Sequence, residues 1–363
     1  MTTNTFQPEQ YDALWKQKTS KTLSLFEGLS IPVPEICPSS VSGFRMRAEF
    51  KIWHEGPEWN YGMFEKGTNQ TPYIVESFPI ASDAIQALMP RLRAAIMGSK
   101  ELSHRLFQID FLNTLHGDML VTLIYHKKIS DEWLEHAEEL ASDLNIKIIG
   151  RARKQKHCTH EDWVLEALDV KNNTYYYQQK EGSFTQPNAF INQAMLNWAC
   201  EQLGHNNDDL LELYCGNGNF TLPLARQFNK VLATEISKTS INSALFNCEK
   251  NQSHNITFLR MSSEDFTEAL NGVREFRRLR DVDLKDYDIG TVLVDPPRSG
   301  LDEGTLDLIS RYSRILYISC NPESLVKNLK ALGPDFTIEK LAFFDQFPYT
   351  DHIESTVVLT KTQ

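Results

Sequence analysis

Hydrophobic and polar residues alternate most cleanly from Phe44 to Trp53, where Phe44, Met46, Ala48, Phe50 and Ile52 fall on one side and Arg45, Arg47, Glu49, Lys51 and Trp53 on the other. A period of two predicts a half-buried strand with a polar outer face. Before it, Gln7 to Leu29 reads as an amphipathic helix with Tyr11, Leu14, Leu25 and Phe26 as its apolar positions; this helical stretch, within residues 1–40, packs on either domain. After it, Leu106 to Leu112 and Met119 to Tyr125 read as strands, a helix runs from Asp131 to Leu144, and strand-like runs follow at Ile146 to Ile149 and Thr174 to Gln179. Strands joined by turns with few helices predict an α+β domain built on an antiparallel sheet, residues 1–180.

From Glu181 the pattern changes to alternating strands and helices, which predicts a Rossmann-like α/β domain with a doubly wound parallel sheet, residues 181–363. A helix at Asn188 to Leu203 precedes strand Asp209 to Leu213; strand Lys230 to Thr234, helix Ser237 to Lys250 and strand Ile256 to Leu259 follow. A charged, irregular insertion is expected at Arg274 to Asp286, then strand Asp288 to Val294, a strand ending at Cys320, a helix from Pro322 to Leu332, and closing strands Thr337 to Phe344 and Ser355 to Thr360.

Composition narrows the class of molecule. The chain has 363 residues, 41% of them hydrophobic and 23% charged, an ordinary globular balance. No apolar run is long enough to span a membrane, and the start has neither the basic end nor the apolar core of a signal peptide, so a cytoplasmic location is expected. Cys37, Cys158, Cys200, Cys215, Cys248 and Cys320 form no Cys-x-x-Cys pair or Cys/His cluster, which argues for free thiols and against a metal site or an iron–sulfur cluster. A formal charge of −11 is unpromising for a nucleic-acid protein. Two local features run the other way: the outer face of the Phe44 strand, and the cluster Arg151-Ala152-Arg153-Lys154-Gln155-Lys156-His157. Either is a solvated surface or part of an RNA or DNA contact surface, on which Trp53 and Phe107 would stack on unpaired bases, Phe107 being equally readable as core.

The chemistry-bearing residues gather at predicted strand ends. Leu213-Tyr214-Cys215-Gly216-Asn217-Gly218-Asn219-Phe220 runs from strand through a glycine turn into a helix; it is not the dinucleotide fingerprint, because Thr221 follows Phe220. Glu235 ends the next strand, where a carboxylate accepts both ribose hydroxyls of an adenosine or caps the helix that follows. Asp295 ends another strand before Pro296-Pro297, and Cys320 ends a fourth before Asn321-Pro322, either as a buried small hydrophobe or as a thiol facing a cleft. Together these four describe one rim at the carboxyl ends of the strands, which suits S-adenosyl-L-methionine.

With these residues in hand, the chain resembles the RNA uracil-5 methyltransferases. The resemblance covers nearly the whole length: Arg45-Met46-Arg47-Ala48-Glu49-Phe50, Leu106-Phe107-Gln108-Ile109-Asp110, Ser183-Phe184-Thr185-Gln186-Pro187-Asn188, the glycine turn, Asp295-Pro296-Pro297-Arg298-Ser299-Gly300, Ser319-Cys320-Asn321-Pro322 and Asp345-Gln346-Phe347-Pro348. It implies a class I methyltransferase domain preceded by an RNA-binding domain. It also implies Cys320 as nucleophile, Glu354 as proton acceptor, and cofactor contacts at Gln186, Tyr214, Asn219, Glu235 and Asp295. The tRNA T-arm, and the similar arm of tmRNA, are the substrates the resemblance favours, since the chain lacks the cysteine set of many ribosomal-RNA relatives and has no obvious room before Phe44 for their extra N-terminal barrel. No metal or obligate protein partner is implied. Gln186 carries both donor and acceptor, so reading the uracil edge is its other role. Glu354 read from its own neighbourhood is a solvated residue at a strand start. Cys320 has to ionise in part, and the helix beginning at Pro322 is the expected source of stabilisation. Arg47, Lys51, Phe107 and His126 are the candidate RNA contacts, His126 having an ordinary alternative as a surface residue at a strand end. A cytosine-5 RNA methyltransferase and an RNA-binding folding aid are the competing readings.

Overall fold

The computed structural model describes residues 6–56, 58–64 and 72–362; the opening stretch from Met1 to Thr5, within the expected first domain, lies outside the described residues. The chain divides into two compact units, one comprising Ser40–Ala167 and Gln179–Ala189 with residues up to Tyr11, the other Asp12–Ser39, Leu168–Gln178 and Phe190–Gln363. Among the described residues no helix is long and apolar enough to cross a membrane.

The first unit holds a seven-stranded sheet in the order Tyr73–Ile74, Glu58–Met63, Arg47–Glu55, Leu106–Asn113, Met119–Tyr125, Lys147–Ala152, Gln155–Cys158. All neighbours are antiparallel except Met119–Tyr125 with Lys147–Ala152, a parallel pair whose crossover is the helix Asp131–Leu144. The five alternating residues Phe44, Met46, Ala48, Phe50 and Ile52 are all buried, yet the strand itself starts later than expected, at Arg47. Arg45 instead bridges Ala81 and Asn188, outside the sheet. The helix Asp83–Gly98, which the hydrophobic pattern did not reveal, buries Ile85, Leu88, Leu92 and Ile96 and is capped by the Ser82 hydroxyl, which accepts from Ile85 N at 3.3 Å. Pro90 lies in its interior, where a proline ordinarily argues against a helix. Gly150 is required where it stands: a Cβ there would lie 2.4 Å from the ring of Trp133.

The second unit holds an eight-stranded sheet in the order Glu35–Cys37, Phe336–Phe344, Glu354–Lys361, Arg314–Ser319, Ile289–Val294, Asp209–Leu213, Val231–Thr234, Ile256–Leu259. Only Glu354–Lys361 runs antiparallel to its neighbours. The predicted strands and helices of this half are present within a residue or two, because strands buried on both faces read as unbroken apolar runs. The insertion at Arg274 to Asp286 contains only short 3-10 turns. The first helix is shorter than expected: a 3-10 turn at Pro8–Gln10, then Tyr11–Ser24. Trp15 is buried in it, whereas Leu14, expected to face inward, is 36% exposed. A hairpin of Trp163–Val170 with Asn173–Lys180 forms a separate two-stranded sheet.

Chain order runs outward from Asp209–Leu213 on one side and then reverses to Ile289–Val294 on the other. In an open α/β sheet, the crevice beyond the carboxyl ends at such a reversal is where ligands bind.

Candidate active site

The register of the second sheet assembles the site. Leu213 lies opposite Thr234 on one neighbour and Val294 on the other, so the next residues, Tyr214, Glu235 and Asp295, emerge together at the carboxyl edge. Ser319 lies opposite Ser355, so continuing that register sets Cys320 beside Glu354. The antiparallel strand thus delivers an acid to the edge where the parallel strands deliver their last side chains.

Backbone chemistry shapes each corner. Tyr214 takes a left-handed conformation, φ 63°, and its hydroxyl lies 2.5 Å from Ser263 Oγ. Gly216 and Gly218 follow with φ of 56° and 84°, and a side chain on Gly216 would point into open space. Glu235 closes the turn, accepting from Gly216 N at 3.1 Å and Ser237 N at 2.7 Å with opposite oxygens. Each oxygen keeps a second lone pair for a ligand. Ile236, next to it, is 69% exposed, an apolar surface that motif reading passed over. Asn219 exchanges two hydrogen bonds of 2.9 Å with Asn192, which fixes the start of the turn's helix. At the thiol corner, Ser319 Oγ donates to Asn321 O at 3.0 Å and accepts from Asn321 N at 3.1 Å, bracketing Cys320. Asn321 caps the helix Pro322–Leu332 through Glu323 N and also donates to Arg298 O at 2.9 Å, tying in the Pro-Pro loop. Buried Asn328 accepts from Tyr317 Oη and Leu301 N, and Gly300 is needed beside it, since a Cβ there would lie 2.6 Å from its oxygen.

Electrostatics at this edge run against ionisation. Burial pushes the Glu354 carboxyl up to about 8 and the Asp295 carboxyl up to about 7. The Cys320 thiol is pushed up to about 11 by burial and by the charges of Glu354 and Asp295, with Arg298 pulling the other way. The expected stabilisation of the thiolate by the helix beginning at Pro322 is therefore outweighed: the resting thiol is protonated. Cys200 and Cys248 are pushed up as far, to about 12 and 11, so acidity does not distinguish Cys320. Position does: Cys320 is half-buried at a strand end between two acids. Glu354 is not the solvated residue that its sequence neighbourhood suggests but is 4% exposed inside the strand. Glu212, beneath the glycine turn, is held up to about 8 by burial.

The remaining predicted residues lie in the first unit. Gln186 is half-buried in the coil before the helix Ala189–Leu203, where Pro187 O accepts from Met46 N at 2.8 Å. Arg47 donates to Ser183 O at 2.9 Å, clasping that same coil, and lies 3.9 Å from Glu49. Lys51 bonds Gln108 and sits 4.3 Å over the ring of Phe107, which stacks on His126 at 4.0 Å. The face is mixed rather than basic, because Glu49 and Asp110 share it. The second basic cluster is half offset: Arg151 pairs with Glu181, and Lys156 with Asp162 at 2.7 Å, while Arg153 and Lys154 are exposed.

Strand order, a glycine turn at the reversal point, an acid at the end of the next strand and a Pro-Pro loop at a third define a Rossmann-like methyltransferase fold whose donor is S-adenosyl-L-methionine. The open turn, the free lone pairs of Glu235 and the exposed Ile236 fit that group. Residues 10–362 match the family model described as tRNA (Uracil-5-)-methyltransferase, and the chain belongs to that family of RNA-methylating enzymes. It is 51% identical over 357 residues to the tRNA/tmRNA (uracil-C(5))-methyltransferase of Pseudomonas fluorescens, covering 98% of each chain. It is 52% identical over 356 residues to that of Pseudomonas savastanoi pv. phaseolicola, covering 98% of this chain and 99% of the relative. In fold it is similar to the crystal structure of Pyrococcus abyssi tRNA (uracil-54, C5)-methyltransferase in complex with S-adenosyl-L-homocysteine. That match has a TM-score of 0.75 and 21% identity, over 96% of this chain and 83% of that one.

Proposed function

We propose that the chain methylates carbon 5 of a T-loop uridine in tRNA, and of the like loop in tmRNA, through a covalent bond from Cys320 to carbon 6 of the uracil. The observation that carries this reading is the register that sets the half-buried thiol of Cys320 beside the buried carboxyl of Glu354. The tRNA/tmRNA names of relatives sharing half the sequence support the substrate class.

Carbon 5 of an intact uracil is a poor nucleophile. Bonding of the Cys320 sulfur to carbon 6 breaks the ring's conjugation and turns carbon 5 into an enolate-like carbon. The thiol proton leaves to water; near neutral pH Glu354 is largely protonated and Asp295 about half so, which eases their opposition to the developing thiolate while Arg298 favours it. Bound S-adenosyl-L-methionine supplies a methyl group on a sulfonium. Tyr214, Asn219, Glu235 and Asp295 would hold it along the rim. Glu354, once its own proton has passed to water, takes the carbon 5 proton as a carboxylate, carbons 5 and 6 regain their double bond, and the Cys320 thiolate departs. A base held near 8 is better matched to that proton than an ordinary carboxylate. On the first unit, Lys51, Phe107 and His126 form a cation-on-stack arrangement suited to an unstacked base and its phosphate, with Arg47 bracing the coil that carries Gln186.

The direct test is Cys320→Ala assayed with unmodified tRNA and labelled S-adenosyl-L-methionine, with the product nucleoside mapped. Methylation should vanish while tRNA binding persists; an alanine variant that still makes 5-methyluridine overturns the mechanism, and label outside the T-loop overturns the position.

A further inference from the structure

One buried cation of the second unit takes no part in this chemistry. Lys18, on the helix Tyr11–Ser24, has a side chain only 8% exposed. Its ammonium donates to Asp345 Oδ1 at 2.5 Å, Phe347 O at 3.1 Å and His352 O at 2.9 Å. An ammonium has three protons, and all three are spent on the segment from Asp345 to His352 that joins strand Phe336–Phe344 to strand Glu354–Lys361. Burying a lysine is costly, and burial lowers its pKa against the pull of Asp345 and Asp351. That expense has a structural return. The segment is wound round the cation: Tyr349 adopts φ 62°, and Thr350 Oγ1 donates to Phe347 O at 2.7 Å while accepting from His352 N at 3.2 Å. His352, two residues before Glu354, also lies 3.3 Å from Arg298. The same N-terminal stretch touches the segment again where Asp345 N donates to Cys37 O at 3.0 Å.

We infer that Lys18 is a positioning residue for the second half of the reaction: by gathering Asp345, Phe347 and His352 onto one ammonium it sets Glu354 beside Cys320. The inference rests on the reading of Glu354 as the base. In the step it serves, the bond from carbon 5 to hydrogen breaks, its electron pair restores the carbon 5 to carbon 6 double bond, the carbon 6 to sulfur bond releases thiolate, and the proton goes to Glu354. Bond formation by Cys320 and methyl transfer precede that step and do not require Glu354 to be in place.

The test compares Lys18→Met, Glu354→Gln and the unaltered full-length chain on a T-arm RNA and on its 5-fluorouridine counterpart, which cannot lose fluorine as a proton. Lys18→Met should lower kcat by about 10²-fold, the scale of an ångström of misplacement, with KM for RNA unchanged. A methylated RNA adduct on Cys320 should accumulate on denaturing gels, and the adduct with fluorinated RNA should form at the unaltered rate. Because Lys18→Met takes the ammonium away from a buried carboxylate, Lys18→Met/Asp345→Leu guards against misfolding: it should regain thermal stability and keep the low kcat. Recovery of full kcat in the double variant, or slowed adduct formation on fluorinated RNA, overturns the inference. Glu354→Gln with unaltered turnover would bring down the assignment of the base itself; adduct accumulation in Glu354→Gln but not in Lys18→Met brings down the role of Lys18 alone.

Discussion

The carboxyl edge of the eight-stranded sheet and the outer face of the seven-stranded sheet both collect charged and aromatic side chains, but they treat them in opposite ways. On the outer face cations find partners: Arg47 on Ser183 O, Lys51 on Gln108, Arg151 on Glu181, Lys156 on Asp162. At the carboxyl edge three acids, Asp295, Cys320 and Glu354, crowd together and all are driven toward their neutral forms. On the proposed reading the outer face holds RNA, and pre-paired cations suit that role, since phosphates can displace weak surface pairs. A site that makes and breaks bonds to carbon needs groups whose protonation is poised, and burial without partners is how that poise is reached.

The sharpest way to break this contrast is Glu354→Gln, which should cut turnover by roughly 10²- to 10⁴-fold, measured as 5-methyluridine formed per enzyme, with RNA binding retained. A smaller change should follow from pH alone. Glu354 loses its proton only as pH rises through about 8, so the basic form grows and kcat should climb between pH 6.5 and 8.5; a profile flat over that range would detach Glu354 from the slow step. On the outer face, Phe107→Ala should raise KM for tRNA roughly tenfold through lost stacking and leave kcat alone, as steady-state kinetics at fixed salt would show. Arg151→Ala should change KM by less than about twofold, because its charge is already spent on Glu181.

The buried acids also carry a stability signature. Glu212 is held near 8 in the folded chain, well above its ordinary value, and Asp295 and Glu354 are raised in the same way. The folded state therefore binds these protons more tightly than the unfolded state. Their contribution is fully present below the ordinary carboxyl range and is lost as pH rises toward 8. Thermal midpoints should fall between pH 6 and 9, and Glu212→Gln should flatten that fall; an unchanged slope would mean that Glu212 is not the group responsible.

Much of the second unit was legible because its central strands are buried on both faces: Asp209–Leu213, Ile289–Val294 and Arg314–Ser319 lie where the apolar runs fall. Strand ends also named Tyr214, Glu235, Asp295 and Cys320, since a polar residue closing a buried strand has only an open edge to occupy. Glu354 needed the family resemblance, because its exposure depends on an antiparallel strand slotting between two others. The helix Asp83–Gly98 went unread although Ile85, Leu88, Met89, Leu92 and Ile96 keep helical spacing, because Pro90 in its interior argues against a helix.

Local order along the chain therefore determined which residues are strand-bound, which turns must hold glycine and which side chains reach an edge, because these follow from steric rules acting over a few residues. Only the tertiary structure decided their charge states and companions: that the Cys320 thiol rests protonated, that Arg47 and Arg151 are already occupied, and that Lys18 sits under the segment leading to Glu354. Desolvation and long-range pairing depend on what lies across space, and Lys18 and His352 are separated by 334 positions in sequence.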